Sequence, residues 1–234
     1  MRALAVVALA LTLATPVAAH DIERAEALLT DVANHRRAAA EAVVESERAS
    51  ATFRLGETVE ALVDALNADV ALHGRRDLFP ELVVRRLQAH AVNVAWAPAS
   101  SRYVYDLAAF HDYLQRAPRA PLAAEAKFRI LAGRFYATLG SDPDVLLATN
   151  VATLTQAATE EERFLAEHPN HARAGTVRFF LAVDHYRIAR NVADPARRAQ
   201  HERRAREALQ HTVQRSTQAF EVRAAQTLLD RLGR

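Results

Sequence analysis

The chain has 234 residues, half of them hydrophobic and a quarter charged. This is the composition of a folded globular protein, and it excludes a disordered chain, a collagen and a multi-span membrane protein. The absence of cysteine excludes disulfides, zinc ribbons, iron–sulfur clusters and thiol catalysis. The net charge is only +2, so the composition gives no electrostatic case for nucleic-acid binding, which needs a basic face to neutralise phosphates, and no nucleic-acid partner is expected.

Residues 1–19 have the features of a secretory signal peptide. Arg2 supplies a positive start, residues 3–14 are apolar, and Pro16 precedes the small residues at 17–19 where signal peptidase would cut. The apolar run is shorter than the roughly 20 residues that a membrane span needs. We therefore expect cleavage, no membrane span in the mature chain, and a periplasmic or secreted location.

Cleavage after Ala19 would place His20 at the mature N-terminus. A free amino group beside an imidazole chelates copper in some secreted oxidases, but such a site needs a second histidine brought close by the fold. Those oxidases are also usually β-sandwiches. We therefore expect His20 to be an ordinary terminal residue, with copper binding as the alternative, and we predict no metal and no cofactor.

The next part of the chain predicts three helices. Apolar residues recur at helical spacing over 21–52, and Gly56 is expected to interrupt the helix before a second one runs over 57–72. Gly74 stands where a C-terminal glycine cap belongs. Pro80 suits the first turn of a short third helix, because the amide hydrogen that proline lacks is unpaired there.

The stretch around residues 91–106 differs from its surroundings and predicts a β-hairpin or an ordered loop. Val94 and Trp96 lie two residues apart, as do Tyr103 and Tyr105, on either side of a turn-rich segment. This aromatic insert holds the only tryptophan and two of the five tyrosines. We favour a hydrophobic plug that closes the core, with a binding surface as the alternative.

Beyond residue 107, helical periodicity returns and a segment repeats. Pro118 precedes Pro169 by 51 residues, and Tyr136 precedes Tyr186 by 50 residues. Three further pairs match at a similar offset: Tyr113-Leu114 with Phe164-Leu165, Leu131-Ala132 with Leu181-Ala182, and Asp142-Pro143 with Asp194-Pro195. A nearly fixed offset across five features indicates an internal duplication. A third, partial copy without the proline starts near Arg203.

The second copy resembles the tetratricopeptide-like repeats of bacterial cell-envelope proteins, such as the periplasmic cell-division coordinator of the Tol–Pal system and the lipoprotein that scaffolds outer-membrane β-barrel assembly. The matching residues are Phe164, Leu165, Pro169, Ala174, Phe179, Leu181, Ala182 and Tyr186. The resemblance covers residues 107–232. It implies a solenoid in which stacked helix pairs bury each other's apolar faces. The offset exceeds the roughly 34 residues of a standard repeat, so residues 144–161 are expected to extend or add a helix.

We thus predict an all-α fold in three parts. A signal peptide occupies 1–19, a helical region with the aromatic insert occupies 20–106, and tetratricopeptide-like αα-hairpins occupy 107–234. The prolines are expected in the links between helices, where a missing amide hydrogen matters least.

No catalytic motif is present. The chain has no GxSxG, HExxH, GxGxxG or Walker A pattern. Asp184 and His185 are adjacent on a predicted helix and point in different directions, so they are not an acid–base pair. The acidic run at 160–162 is expected to be a solvated helix face. We therefore do not predict an enzyme.

The expected function is an exported helical-repeat adaptor or scaffold that binds an envelope protein or a peptide segment. The candidate contact residues are aromatic or polar side chains of the insert and the repeats: Trp96, Tyr103, Tyr105, Arg129, Tyr136, His185 and Tyr186. The alternative is a secreted enzyme or small-ligand-binding protein, with its site between the N-terminal helices and the repeat region. An enclosed pocket with converging acids or histidines would favour that alternative, and an exposed groove would count against it.

Overall fold

The computed structural model describes residues 21–74, 78–98, 100–140, 142–146 and 149–233, so the predicted signal peptide and His20 lie outside the described residues. Within these ranges the chain forms nine helices and one two-stranded antiparallel sheet. The predicted all-α class and the predicted β-hairpin are therefore confirmed. In the described part of the chain, no helix has the length and apolar character needed to cross a membrane.

The helices follow one another as packed pairs. In chain order the elements are α1 Ile22–Glu41, α2 Glu45–His73, α3 Leu78–Ala89, β1 Val94–Ala97, β2 Arg102–Tyr105, α4 Ala108–Arg116, α5 Ala123–Thr138, α6 Val151–Glu167, α7 Ala174–Asn191, α8 Pro195–Arg215 and α9 Ala219–Leu232. The pairs are α1 with α2, α4 with α5, α6 with α7, and α8 with α9. Contacts of α2 with α4, of α5 with α6 and of α7 with α8 join successive pairs, and β2 packs on α2 and α5.

The predicted helix break at Gly56 is wrong. The first helix ends at Glu41, and the second runs through Gly56 without interruption. The chain turns instead at Val43, which is 94% exposed. Gly56 is needed for a different reason, because a Cβ at this position would lie 2.7 Å from the ring of Phe110 on α4. The predicted end of α2 is confirmed, since Gly74 has φ +83° there.

The β-hairpin is fastened to α2 through one asparagine. Asn67 Nδ2 donates to the carbonyl oxygen of Tyr103 at 3.0 Å, and the backbone amide of Tyr103 donates to Asn67 Oδ1 at 2.7 Å. The Tyr103 ring is buried in the core formed by α1, α2 and α3, and Trp96 packs edge-on against it from the paired strand. This side of the aromatic insert is therefore a plug, as predicted.

The internal duplication is visible in the backbone of the links between helices. Ala117 and His168, which end α4 and α6, have φ/ψ of −136°/57° and −132°/53°. Leu122 and Arg173, which precede α5 and α7, have φ/ψ of −91°/5° and −99°/6°. The turn hydrogen bonds match as well, from residue 120 to 117 and from residue 171 to 168. The structural offset is therefore 51 residues. The link between α8 and α9 is shorter and differs.

A shared aromatic core joins the repeated pairs. Phe135 of α5 stacks on Phe180 of α7, with ring centroids 4.2 Å apart, and Phe128 lies parallel to the same ring at 6.4 Å. Residues of α8 and α9 complete this cluster. The core thereby fixes α5, α7 and α9 side by side.

Candidate functional site

A cleft of about 480 Å³ lies where the N-terminal region meets the repeated pairs. Its lining comes from α2, β2, α5, α7 and α9, so each of the four helix pairs contributes one member. We call it the central cleft and define it by six residues: Glu60, Tyr103, Arg129, Tyr136, Phe180 and Phe220. The cleft is partly open to solvent.

The structure brings four of the seven predicted contact residues together and leaves three elsewhere. The four that line the central cleft are Tyr103, Tyr105, Arg129 and Tyr136. Trp96 is outside the lining, behind Tyr103. His185 is buried between α7 and α8, where its Nδ1 lies 3.1 Å from Nδ1 of His201. Tyr186 is also buried, and its hydroxyl donates to the carboxylate of Asp144.

Tyr136 and Tyr186 take different positions because the structural offset is 51 residues and not 50. At an offset of 51, the counterpart of Tyr136 is the buried Arg187, and the counterpart of Tyr186 is the buried Phe135. One residue along a helix corresponds to a rotation of about 100°. The repeated tyrosines therefore point in different directions, although the sequence match suggested equivalence.

One wall of the central cleft is an acidic stripe on α2. Arg129 of α5 reaches this stripe, with its Nη1 2.8 Å from Glu60 Oε2 and its Nη2 3.6 Å from Glu57 Oε1. Its Nε also contacts Glu125 at 2.6 Å. Burial raises the pKa of Glu60 to about 7, against the opposing effect of the Arg129 guanidinium. Burial likewise raises the pKa of Asp64, one turn further along α2. Carboxylates thus outnumber the guanidinium on this wall.

Two further arginines of the cleft stand over aromatic rings, and the charge of Arg102 also acts on Asp64 of the acidic stripe. The guanidinium of Arg102 lies 5.8 Å from the ring centroid of Tyr136, and that of Arg173 lies 5.7 Å from the ring centroid of Phe128. Such contacts hold the cations against the rings. Within the described ranges neither arginine pairs with a carboxylate at salt-bridge distance. Phe220 adds an apolar side chain that is 53% exposed.

The arrangement suits recognition better than chemistry. Aromatic rings, carboxylates and arginines line the same cleft, which matches a bound segment with an apolar anchor and charges of both signs. Glu60 has a pKa of about 7, which would suit a general acid or base. Its carboxylate, however, already accepts a hydrogen bond from Arg129. In the described part of the chain, no group of three or more histidines and carboxylates is placed to hold a metal ion.

Sequence reasoning missed several residues of the cleft. Glu57, Glu60 and Asp64 lie on one face of α2 at spacings of three and four residues, a pattern that was available in the sequence. No sequence signal could have singled out Arg102 or Phe220, because their roles depend on how distant elements meet.

The prediction that the acidic run at 160–162 is solvated is wrong for its middle residue. Glu161 is 1% exposed and faces α7, whereas Glu160 and Glu162 pair with arginines at the surface. Consecutive residues on a helix point about 100° apart, so a run of three cannot all face solvent when the helix is packed on one side.

A scan against models of known protein families finds no match for this chain, and a search of curated proteins finds no relative. The fold itself defines the class of the molecule in its described ranges. It is an all-α array of helix pairs with a β-hairpin inserted between the first pair and the rest.

Proposed function

We propose that this protein is an exported interaction module that binds a segment of a protein partner in the cell envelope, with the central cleft as its binding surface. The observation that carries the proposal is the cleft itself. It is open, about 480 Å³ in volume, and bordered by aromatic side chains and by charges of both signs.

The cleft offers the contacts by which helical grooves hold peptides. Tyr136 and the exposed Phe220 offer flat apolar surfaces for an anchor side chain, and aromatic residues contribute strongly to such interfaces. The carboxylates of α2 and the guanidinium of Arg102 lie at the edges, where charges select the orientation of a bound segment. The packed aromatic core beneath the cleft holds the lining side chains in place before a partner binds. Binding therefore costs less conformational entropy.

The cellular setting of the proposal comes from the sequence. The signal-peptide features of residues 1–19 support the proposal that the mature chain works in the periplasm or outside the cell. The resemblance to tetratricopeptide-like repeats of envelope proteins adds the expectation of a protein partner, and the matching backbone of the two inter-helix links supports a repeated architecture.

The alternative function, a secreted enzyme or small-ligand-binding protein, has two observations in its favour. The central cleft lies at the junction predicted for such a site, and Glu60 there has a pKa of about 7. The open form of the cleft counts against it, because small-molecule sites usually enclose most of the ligand. The ion pairs of Arg129 also engage the acids that such a site would need free.

The test is a selection of peptides from a random 12-residue display library on the exported chain, followed by calorimetric titration of the enriched peptides. Phe220→Ala should weaken binding at least about tenfold, as expected for an interface anchor. Leu72→Ala is the matched control, because Leu72 is 70% exposed on α2 and lies outside the cleft. Failure to enrich any peptide, or binding that survives both Phe220→Ala and Tyr136→Ala, would overturn the proposal.

A further inference from the structure

A second cavity, of about 330 Å³, lies where the start of α7, the end of α8 and the start of α9 meet. We call it the basic cavity and define it by six residues: Arg173, Gly175, Thr176, Arg178, His211 and Arg215. It adjoins the central cleft, and four residues line both: Arg173, Thr176, Gln218 and Glu221. Arg178 and Arg215 line the basic cavity and not the central cleft, so the proposed peptide binding does not use them.

The charges around the basic cavity do not balance. Three guanidinium groups line it, those of Arg173, Arg178 and Arg215, and none of them lies at salt-bridge distance from a carboxylate of the described residues. The described lining includes one carboxylate, that of Glu221, which is 5% exposed and accepts a hydrogen bond from the Ser216 hydroxyl at 2.6 Å. Arginine side chains keep their charge at any physiological pH. The lining therefore carries an excess of positive charge that an anion would neutralise.

His211 lies within the electric field of these arginines. Partial burial lowers the pKa of its imidazole, and the charges of Arg178 and Arg215 lower it further. Both guanidinium groups are thus close enough to disfavour a third positive charge beside them. His211 and Arg215 are four residues apart and share one face of α8, whereas Arg178 comes from α7. The packing of two helices therefore assembles the cluster.

The basic cavity also offers neutral hydrogen-bond donors that a ligand from solvent can reach. The backbone amides of Gly175 and Thr176, in the first turn of α7, have no hydrogen-bond partner among the described residues. A Cβ at position 175 would meet nothing within 4 Å, so a ligand can approach the backbone there. The Thr217 hydroxyl adds a further donor. The three arginines are themselves exposed or half-exposed, so they are accessible to the same ligand.

We propose that the basic cavity binds the phosphoryl group of a phosphate monoester, carried by a soluble molecule or by a lipid headgroup. Planar guanidinium groups match phosphate oxygens through pairs of parallel hydrogen bonds, and free amides at a helix start add further donors. A monoester carries nearly two negative charges at neutral pH, which suits three arginines that face one carboxylate, whereas a carboxylate ligand brings a single charge. The volume of about 330 Å³ leaves room for part of the organic group.

The test is calorimetric titration of the exported chain with glycerol 3-phosphate at neutral pH and low salt, with glycerol and lactate as the neutral and the singly charged comparators. We expect glycerol 3-phosphate to bind at one site per chain and both comparators to bind much more weakly. Arg215→Gln should weaken glycerol 3-phosphate binding about tenfold, because a hydrogen bond between charged groups is lost. Arg203→Gln is the matched control, since Arg203 is an exposed arginine on the same helix and does not line the cavity. It should keep the wild-type affinity.

Nuclear magnetic resonance of the histidine side chains supplies a readout that a change in overall charge does not imitate. Saturation with glycerol 3-phosphate should raise the pKa of His211, because the bound dianion offsets the two neighbouring arginines. The pKa of His201, on the same helix but outside the basic cavity, should stay unchanged. A His211 pKa that does not respond to saturating glycerol 3-phosphate would contradict the proposal.

Vesicles distinguish the two sources of the phosphoryl group. Sedimentation of the chain with phosphatidylcholine vesicles that contain phosphatidic acid, lost in Arg215→Gln, would support the proposal with a lipid headgroup as the source. Binding of glycerol 3-phosphate without sedimentation would support it with a soluble ester as the source.

Three results of the binding assays would overturn the proposal. They are no binding in either assay, lactate binding as tight as that of glycerol 3-phosphate, and equal affinity in wild type, Arg178→Gln and Arg215→Gln. A loss in Arg203→Gln as large as that in Arg215→Gln would also overturn it. Phe220 lines the central cleft and not the basic cavity, so Phe220→Ala should keep glycerol 3-phosphate binding. Failure of the peptide-binding proposal is therefore distinguishable from failure of this one.

Discussion

Replacing Gly56 with alanine tests whether this glycine marks a break in the helix or a close approach of two helices. A Cβ at position 56 would lie 2.7 Å from Cζ and 2.8 Å from Cε1 of Phe110, whereas carbon atoms pack best at about 3.5–4.0 Å. The Phe110 ring is fully buried and packs edge-on against Phe53, with ring centroids 5.5 Å apart. It therefore has little room to move away.

Two effects of opposite sign decide how Gly56→Ala changes the free energy of unfolding. Alanine is favoured over glycine in a helix interior by about 1 kcal/mol. An extra methyl group in a packed core costs about 1–3 kcal/mol, and the overlap here involves two ring carbons, each too close by about 1 Å. We therefore place the cost in the upper part of that range and expect a net loss of about 1–2 kcal/mol. For a chain of this size, the melting temperature should fall by about 2–8 °C.

The assay is urea denaturation followed by circular dichroism, with Gly175→Ala as the matched control. Gly175 lies in the first turn of α7, and a Cβ there would meet nothing within 4 Å. Alanine at position 175 should be neutral or slightly stabilising. The double variant Gly56→Ala/Phe110→Leu should recover part of the loss, because the smaller side chain gives the new methyl group space. If Gly56→Ala stabilised the protein as Gly175→Ala does, the reasoning from the helix contact would be refuted.

Three further predictions concern the polar contacts of the fold. Asn67→Ala should lower the free energy of unfolding by about 1–3 kcal/mol, because two backbone groups of Tyr103 lose their partner; hydrogen exchange should show a less protected Tyr103 amide, and unchanged protection would contradict the prediction. Arg187→Leu should cost about 3–5 kcal/mol in urea denaturation, since it leaves Asp184 buried without its cation; a loss within error would show that the pair is dispensable. Folding raises the pKa of Glu60 from its ordinary value of 4.5 to about 7 because the carboxyl is buried. The folded state therefore binds more protons between these two values, and the stability contributed by Glu60 falls as the pH rises through this window. Glu60→Gln should remove that decline from melting curves recorded across the window, and a pH profile identical to wild type would count against it.

Local signals in the sequence were sufficient for much of the fold. Helical periodicity predicted the helical character of the N-terminal region, the glycine at position 74 predicted the end of α2, the proline at position 80 predicted a short third helix, and the alternation around Trp96 predicted the β-hairpin. The boundary between α1 and α2 was not predicted, and neither was the continuous helix through Gly56, because a glycine serves as a helix end or as a contact surface. The presence of Phe110, more than fifty residues later, decides between them.

For the candidate site, the sequence could indicate the types of residue involved but not where the fold brings them together. Tyr103, Tyr105 and Tyr136 of the candidate set do line one cleft, but whether Tyr136 or Tyr186 lies there depends on an offset of 50 or 51 residues. An alignment that is shifted by one residue still matches similar residues within the helices. Only an offset of 51 residues matches the backbone angles of the links between the helices. Arg102 enters the cleft through the fold of the hairpin, and its position follows from tertiary contacts alone.

Helix α5 supplies side chains both to the aromatic core and to the central cleft. Phe135 is buried in the core, whereas its neighbour Tyr136 borders the cleft. Consecutive residues on a helix point about 100° apart, so the cleft side chain can be changed without removing the core ring. Truncation of Tyr136 leaves Phe135 stacked on Phe180 at 4.2 Å. Peptide binding lost in Tyr136→Ala, with an unchanged circular dichroism spectrum, would therefore locate the defect at the central cleft and not in the core beneath it.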